Sequence, residues 1–229
     1  MNFSNPILMA ARSLVGNLRL LRSVVQVFRY FTSYKYEKNF DAALMTSIRA
    51  QDTVWDVGAN IGYYTSKFAE SAKSGLIVAF EPSPSTFPLL QEKFRHTSNV
   101  HIENVALGDD EGDKSFFIAK SSVEDSLFNR SGVYATEVKV RVARADSYAE
   151  SFPPNVIKID VEGFELEVLN GMHKTLLSPS LRYVFVEVHF SVLVERGHPR
   201  APRDIVQCLT NAGFLTKWLD SSHLAARRQ

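Results

Sequence analysis

Short apolar runs alternate along the chain with longer segments whose apolar residues recur at helical spacing. The segments predict helices at 5–31, 38–50, 62–72, 84–96, 166–177 and 202–212. The runs predict strands at 52–57, 75–80, 99–105, 156–160 and 181–189, with a closing pair at 214–219 and 223–227. Strands that alternate with helices indicate the α/β class, with a mainly parallel sheet covered by helices on both faces.

The middle of the chain interrupts this alternation. A turn cluster at Gly108–Gly112 is followed by two apolar stretches, 115–119 and 137–142, which predict an added pair of strands. The segment between them, 120–135, is longer than the connections that compact domains usually leave without regular structure. It is therefore a candidate lid over a substrate.

Length and composition indicate one globular unit. The chain has 229 residues, 45% of them hydrophobic, which suffices for one large core. We expect a helical extension at 1–50 and a Rossmann-like domain at 51–229. A net charge of +1 argues against a nucleic-acid partner. Cys208 is the only cysteine, so no disulfide forms within the chain, which fits a cytoplasmic location.

The N-terminal segment is basic, since residues 1–39 hold six Lys and Arg residues and one Glu. Its apolar stripe is interrupted by arginines, so it is too charged for a membrane span, and it has no cleavage site of a signal peptide. Two interpretations stay open. The helix packs on the domain or on a second subunit, or it makes a peripheral contact with an anionic membrane surface.

A turn bracketed by Gly58 and Gly62 joins the strand at 52–57 to the next helix. Glycine lets the backbone turn sharply and lets a ligand approach it closely. Asp56 lies at the carboxyl end of the strand, where ligands enter open α/β sheets. Glu81 follows the next strand about 20 residues beyond the glycines, the offset at which an acid reaches a ribose diol. The GxxxG spacing departs from the GxGxxG of dinucleotide-binding folds, which weakens an NAD interpretation.

Several motifs together resemble a known family. They are DVGANIGYYT at 56–65, FEPSP at 80–84, ENVALGDDEG at 103–112, IKIDVEGFE at 157–165 and VEVH at 186–189. In their order and spacing these motifs resemble the FkbM-type S-adenosylmethionine-dependent methyltransferases. The resemblance implies a class I methyltransferase fold, in which a seven-stranded sheet ends in an antiparallel strand. It also implies S-adenosylmethionine as the cofactor.

The predicted site has a cofactor half and a chemistry half. On the resemblance, the cofactor half comprises Asp56, Gly58, Asn60, Gly62, Thr65, Glu81, Pro82, Asn104 and Ala106. The chemistry half comprises polar residues at the ends of two later strands, Asp160, Glu162, Glu187 and His189. His189 is the candidate base because the ordinary pKa of histidine is near 6.5, and Glu187 or Asp160 would orient it. Asp160, Glu187 and His189 could instead bind a divalent cation, which we rank below the protein base.

Other polar residues receive no chemical role from the sequence. Glu165 and Glu167 begin a predicted helix, where acids oppose the positive end of the dipole, so we expect them to be structural. The sequence shows no candidate chemical partner for His223, so we assign it no function.

The resemblance implies methyl transfer to a hydroxyl of a sugar, a glycan or another small molecule. Two other functions stay open. One is a protein that binds S-adenosylmethionine without catalysis, and the other is a nicotinamide-dependent oxidoreductase.

Overall fold

The structure is a computed structural model that describes residues 38–119 and 134–229. The helix predicted at 5–31 lies outside the described residues, as does nearly all of the candidate lid at 120–135. The described helices are α1 (38–47), α2 (Tyr63–Ser71), α3 (Phe87–Phe94), α4 (Glu165–Asn170), α5 (His173–Leu177), α6 (Phe190–Glu195) and α7 (Ala201–Asn211). The strands are β1 (Thr53–Val57), β2 (Leu76–Phe80), β3 (Val100–Glu103), β4 (Ala106–Gly108), β5 (Gly112–Ala119), β6 (Tyr134–Arg144), β7 (Val156–Ile159), β8 (Tyr183–Glu187), β9 (Phe214–Trp218) and β10 (His223–Arg228).

The main sheet has seven strands in the order β3-β2-β1-β7-β8-β10-β9. The pairs from β3 to β8 are parallel, and β10 runs antiparallel to both of its neighbours. All four residues of β7 and four of the five residues in β1 and β2 are buried, as expected for strands covered on both faces. The α/β class and the antiparallel last strand are confirmed.

A smaller sheet of three strands, in the order β4-β6-β5, flanks the main one. β5 and β6 form the predicted antiparallel pair, but both are longer than their apolar runs. The sequence did not predict β4, a three-residue strand that pairs in parallel with the end of β6. A strand this short shows no alternation of apolar and polar residues, so tertiary pairing defines it.

Two helical predictions differ from the structure. The single helix predicted at 166–177 is divided into α4 and α5 around Gly171, where a Cβ would come within 1.8 Å of the Gly108 carbonyl oxygen. This close approach of two backbones fixes the break. The strand predicted at 181–189 ends at Glu187, and the chain turns at His189 into α6, which the sequence did not predict.

Helix α1 packs directly on the main sheet. Phe40 and Leu44 are buried in one apolar cluster with Val54, Phe68 and Phe185. Asp52, just after this helix, accepts two hydrogen bonds from Arg182 at 3.0 and 2.8 Å. The domain boundary expected at residue 50 stays a prediction, although α1 shares the core of the domain. Within 38–119 and 134–229, every helix is too short or too polar to cross a membrane.

Replacement of Phe40 by alanine tests whether α1 stabilises the domain. Phe40 is 1% exposed and its ring lies 5.8 Å from that of Phe185 and 4.2 Å from that of His223. We expect Phe40→Ala to lower the free energy of unfolding by roughly 3–5 kcal/mol, measured by urea denaturation. The exposed neighbour Asn39 provides the control, since Asn39→Ala should change it by less than about 0.5 kcal/mol. Equal effects of the two variants would contradict this packing.

Candidate active site

The site begins where three parallel strands end side by side. Val57 of β1 pairs with Phe80 of β2 and with Ile159 of β7, so the three strands end at one level. The next residues of β2 and β7 are Glu81 and Asp160, and both line one cleft. This cleft contains about 690 Å³ of empty space, part of it open to solvent. Carboxyl ends of parallel strands are the usual ligand site of such sheets.

The loop after β1 forms the floor of the cleft. Gly58 has a φ of 80°, and a Cβ there would come within 1.9 Å of the Asp160 carbonyl oxygen. At Gly62 a Cβ would overlap the side chains of Phe94 and Leu90. Both glycines are therefore required by close internal packing. Gly58 also lines the cleft, and the ligand approach expected from the sequence stays a prediction. Asn60 has a positive φ of 50°, a strained conformation for a residue with a side chain.

Glu81 is held by the backbone beside the cleft. Its Oε2 accepts a hydrogen bond from the Asn60 amide at 2.7 Å, and its Oε1 accepts one from the Ser83 amide at 2.8 Å. Asn104 donates its side-chain amide to the Glu81 carbonyl oxygen at 2.9 Å and thereby braces the turn. The backbone thus fixes the direction of the Glu81 carboxylate, and Glu81 lines the cleft.

The wall of the cleft beyond Glu81 is mainly apolar. It is formed by Phe80, Pro82, Ala106, Leu107, Phe116 and Phe164. Flat apolar surfaces with one polar group at the edge are typical of sites for small aromatic ligands. Of the residues in the predicted cofactor half, Gly58, Asn60, Glu81, Pro82 and Ala106 line this cleft.

Asp56 and Thr65 lie beneath the floor and are both fully buried. Thr65 donates its hydroxyl to Asp56 Oδ2 at 2.7 Å. Asp56 Oδ1 lies 3.3 Å from Lys158 Nζ, which also lies 3.2 Å from Asp160 Oδ2. These nearby carboxylates raise the pKa of Lys158 in spite of its desolvation, so the ammonium is charged. Asp56 therefore supports the floor from below.

His189 stands among three acids, two of which, Asp160 and Glu162, line the cleft. Its Nδ1 donates to Glu165 Oε1 at 2.7 Å, while its Nε2 lies 3.3 Å from Glu162 Oε2 and 3.7 Å from Asp160 Oδ1. Glu165 is fully buried and also accepts the Gly163 amide at 2.8 Å. The sequence predicted that Glu187 or Asp160 orients His189, and that Glu165 is only structural. Glu165 makes the short contact with Nδ1, whereas Asp160 is the more distant neighbour of Nε2, so the residue in the best position to orient His189 is one that the sequence did not propose for that role.

Burial and nearby charges shift the pKa values of His189 and Asp160. Desolvation lowers the pKa of His189, but Glu162 and Glu165 outweigh it and hold the pKa well above 6.5. Burial is the main cause that raises the pKa of Asp160, to about 6, against the attraction of Lys158. The ordinary histidine pKa used in the sequence argument therefore does not apply to His189.

Glu187 lies beside this cluster and has a different partner. Its Oε2 is 3.4 Å from His223 Nε2, and Asp220 accepts from His223 Nδ1 at 2.8 Å. Desolvation opposes ionisation of Glu187, but the contact with His223 and the charge of His189 lower its pKa to about 2. The sequence analysis expected no chemical partner for His223, and this is wrong. Strand β10 pairs with β8 and brings His223 next to Glu187.

Three residues to which the sequence analysis gave no role in the site contribute to it. Lys158 is a charged residue inside an otherwise apolar strand, which was a readable signal of a buried ion pair. Glu165 belongs to a run of acids at a helix start, so its sequence signal is ambiguous. Phe116 reaches the cleft from β5 of the small sheet, and no local pattern could have indicated that contact.

The His223 contacts make stability depend on pH. Desolvation lowers its pKa, but the hydrogen bonds to Asp220 and Glu187 raise it to about 9 in the folded protein. A raised pKa stabilises the fold fully below the unfolded value near 6.5, and this stabilisation is lost as the pH rises through about 9. We expect the His223 contribution to fall by up to roughly 3 kcal/mol between these values.

Urea denaturation across this pH range measures the effect. The His223→Gln variant should show a smaller loss of stability than the unmodified protein between pH 6 and 10. His173, an exposed histidine, provides the control variant His173→Gln, which should follow the unmodified protein. Parallel pH curves for all three proteins would contradict the assignment.

Comparison with known proteins identifies the family. The methyltransferase FkbM domain profile matches residues 56–216. The hexuronic acid methyltransferase AglP of Haloferax volcanii is 30% identical over 221 residues, which cover 91% of this chain and 84% of that protein. The 31-O-demethyl-FK506 methyltransferase FkbM of Streptomyces tacrolimicus is 28% identical over 62% of this chain and 67% of its own.

A solved structure supports the fold. The methyltransferase FkbM of Methylobacillus flagellatus superposes with a TM-score of 0.56 at 14% identity. The match covers 79% of this chain and 44% of that chain, so this chain spans less than half of that structure. The family match and the shared fold confirm the resemblance of the sequence motifs. The chain belongs to the FkbM methyltransferase family.

Proposed function

We propose that this protein transfers a methyl group from S-adenosylmethionine to a hydroxyl oxygen of a sugar-containing acceptor. The observation that carries the proposal is the arrangement of one cleft, which is lined by Glu81 at one strand end and by Asp160 and Glu162 at another. A site for a nucleoside and a site for an acceptor hydroxyl thus open on the same space.

The described residues fit the cofactor. S-adenosylmethionine supplies, when bound, an electrophilic methyl group on a sulfonium sulfur. Glu81 offers two fixed acceptor oxygens for the ribose hydroxyls, and the apolar wall at Phe80, Leu107 and Phe116 suits the adenine ring. The cleft is partly open to solvent and combines apolar side chains with a few polar groups, as is usual for sites of small ligands. The rest of the lining near Glu81 includes Gly58, Asn60 and Pro82.

The chemistry half serves the acceptor. Methyl transfer is an in-line displacement, so the acceptor oxygen must be held in line with the methyl carbon and the sulfur. Asp160, Glu162 and His189 present their polar atoms within 4.8 Å of one another and can bind that hydroxyl. The hydroxyl must also lose its proton on this side of the cleft. Glu187, held by His223, bounds the same region from β8.

The relatives support the class of acceptor. AglP is named a hexuronic acid methyltransferase, and it matches nearly the whole of this chain. The Streptomyces relative is named for methyl transfer to an oxygen of FK506. A sugar hydroxyl is therefore the acceptor that we propose. The exclusion of nucleic acid, the contacts of the N-terminal segment and the cytoplasmic location stay predictions.

Replacement of Glu81 tests the cofactor half. We expect Glu81→Ala to weaken S-adenosylmethionine binding by roughly 1.5–3 kcal/mol, because hydrogen bonds to a charged acceptor are lost. Titration calorimetry measures this affinity, with Glu103→Ala as the matched control. Glu103 ends the neighbouring strand, and its carboxylate lies 2.7 Å from His101. Unchanged affinity in Glu81→Ala would contradict the proposed cofactor position.

Replacement of His189 tests the chemistry half. We expect His189→Ala to keep its affinity for S-adenosylmethionine and to lose roughly 10²–10⁴-fold in turnover, because the cluster that binds the acceptor hydroxyl is disrupted. Product formation is measured by mass spectrometry with glucuronic acid and neutral glycosides as acceptors, and exposed His173→Ala is the control. Loss of cofactor affinity with turnover retained would reverse our division of the site. Tight cofactor binding without product from any acceptor would favour a binding protein.

A further inference from the structure

The acids around His189 bring several possible ligand atoms close together. Nε2 of His189, Oε2 of Glu162 and Oδ1 of Asp160 belong to three residues whose ligand atoms lie within 4.8 Å of one another. The two distances from Nε2, 3.3 and 3.7 Å, exceed the usual 2.7–2.9 Å of a charge-assisted hydrogen bond. They approach the separation of about 3 Å between adjacent ligands of an ion bound at about 2.1 Å. The three atoms are therefore spaced as ligands of one cation.

The ring of His189 is oriented as in protein metal sites. A histidine that binds a metal through one nitrogen commonly donates its other N–H to a carboxylate. Glu165 provides that carboxylate, with Oε1 2.7 Å from Nδ1. Glu165 is fully buried, and its Oε2 has no hydrogen-bond partner among the residues that the structure describes. A buried carboxylate with one unsatisfied oxygen requires positive charge nearby, which a metal-bound imidazole supplies.

We propose that Asp160, Glu162 and His189 bind one divalent cation of the Mn²⁺ type, with Glu165 as the residue that orients His189. A donor set of two carboxylates and one imidazole suits such an ion, whereas Ca²⁺ takes oxygen ligands only. Three protein ligands leave further positions of an octahedral ion for oxygen atoms of another molecule.

The cation site has a consequence for the reaction, which rests on the function proposed above. Asp160 and Glu162 line the cleft, so an acceptor hydroxyl there can become a ligand of the cation. A bound cation lowers the pKa of that hydroxyl, and its proton passes to a water molecule. The oxygen then forms its bond to the methyl carbon as the carbon–sulfur bond breaks and the electron pair stays on sulfur. His189 acts in this step as a ligand instead of the proton acceptor.

Binding of Mn²⁺ to the whole protein, freed of metal with EDTA, tests the site. Free Mn²⁺ is followed by electron paramagnetic resonance during titration, a readout that does not depend on turnover. We expect one site per chain that is lost in Glu162→Gln and in His189→Ala. Glu165→Gln should weaken binding roughly tenfold to a hundredfold. The control is Glu167→Gln on the same helix, whose carboxylate binds Arg196 outside the cluster and which should leave the affinity unchanged.

The outcomes separate this inference from the proposed function. S-adenosylmethionine binding is measured on the same metal-free samples. Suppose that the cofactor binds and that Mn²⁺ either does not bind or binds equally to every variant. The cation site is then wrong and the methyltransferase proposal stands. If Mn²⁺ binding follows the variants as expected while the cofactor does not bind, the cation site is correct and the proposed function fails.

Discussion

The arrangement of the site depends on one buried ammonium group. Lys158 is 2% exposed, and its Nζ lies within 3.3 Å of carboxylate oxygens of Asp56 and Asp160. Burial of charges costs several kcal/mol per ion unless they are paired, so removal of any one partner would leave an uncompensated charge in the core. Because Asp56 supports the floor of the cleft and Asp160 belongs to the His189 cluster, this ion pair network fixes both halves of the site relative to each other.

The two halves differ in how they treat charge. On the side of Glu81, a single carboxylate is held by hydrogen bonds from backbone amides and adjoins an apolar wall, as suits the hydroxyl groups of a ribose and a flat ring. On the side of His189, the acids Asp160, Glu162 and Glu165 gather around one imidazole. Strained backbone supports both halves, since Asn60 and Glu162 have positive φ angles of 50° and 53°. Such strain is found where a side chain must be held in one direction. A site that combines a neutral nucleoside half with an acidic half suits methyl transfer to an oxygen that must lose a proton.

The main sheet could be predicted from the sequence because its central strands are short, continuously apolar runs that end in polar residues. Strand ends also predicted that Glu81, Asp160 and Glu162 would open on one space. What the sequence could not show depends on contacts between distant segments. The helix breaks at Gly171 because the Gly108 carbonyl approaches it closely. His189 contacts Glu165, which lies 24 residues away at the start of α4. His223 contacts Glu187 because β10 pairs with β8. The roles of these residues in binding and catalysis stay predictions.

The most direct test of this account is the fate of an isotopic label. The purified protein is incubated with S-adenosylmethionine that carries a ¹³C-methyl group and with glucuronic acid or a glycan that contains it, and the product is examined by NMR. The account predicts one labelled methyl group on an acceptor oxygen for each molecule of S-adenosylhomocysteine formed. A label on nitrogen or carbon, or cofactor binding without any labelled product from acidic and neutral sugars, would contradict it.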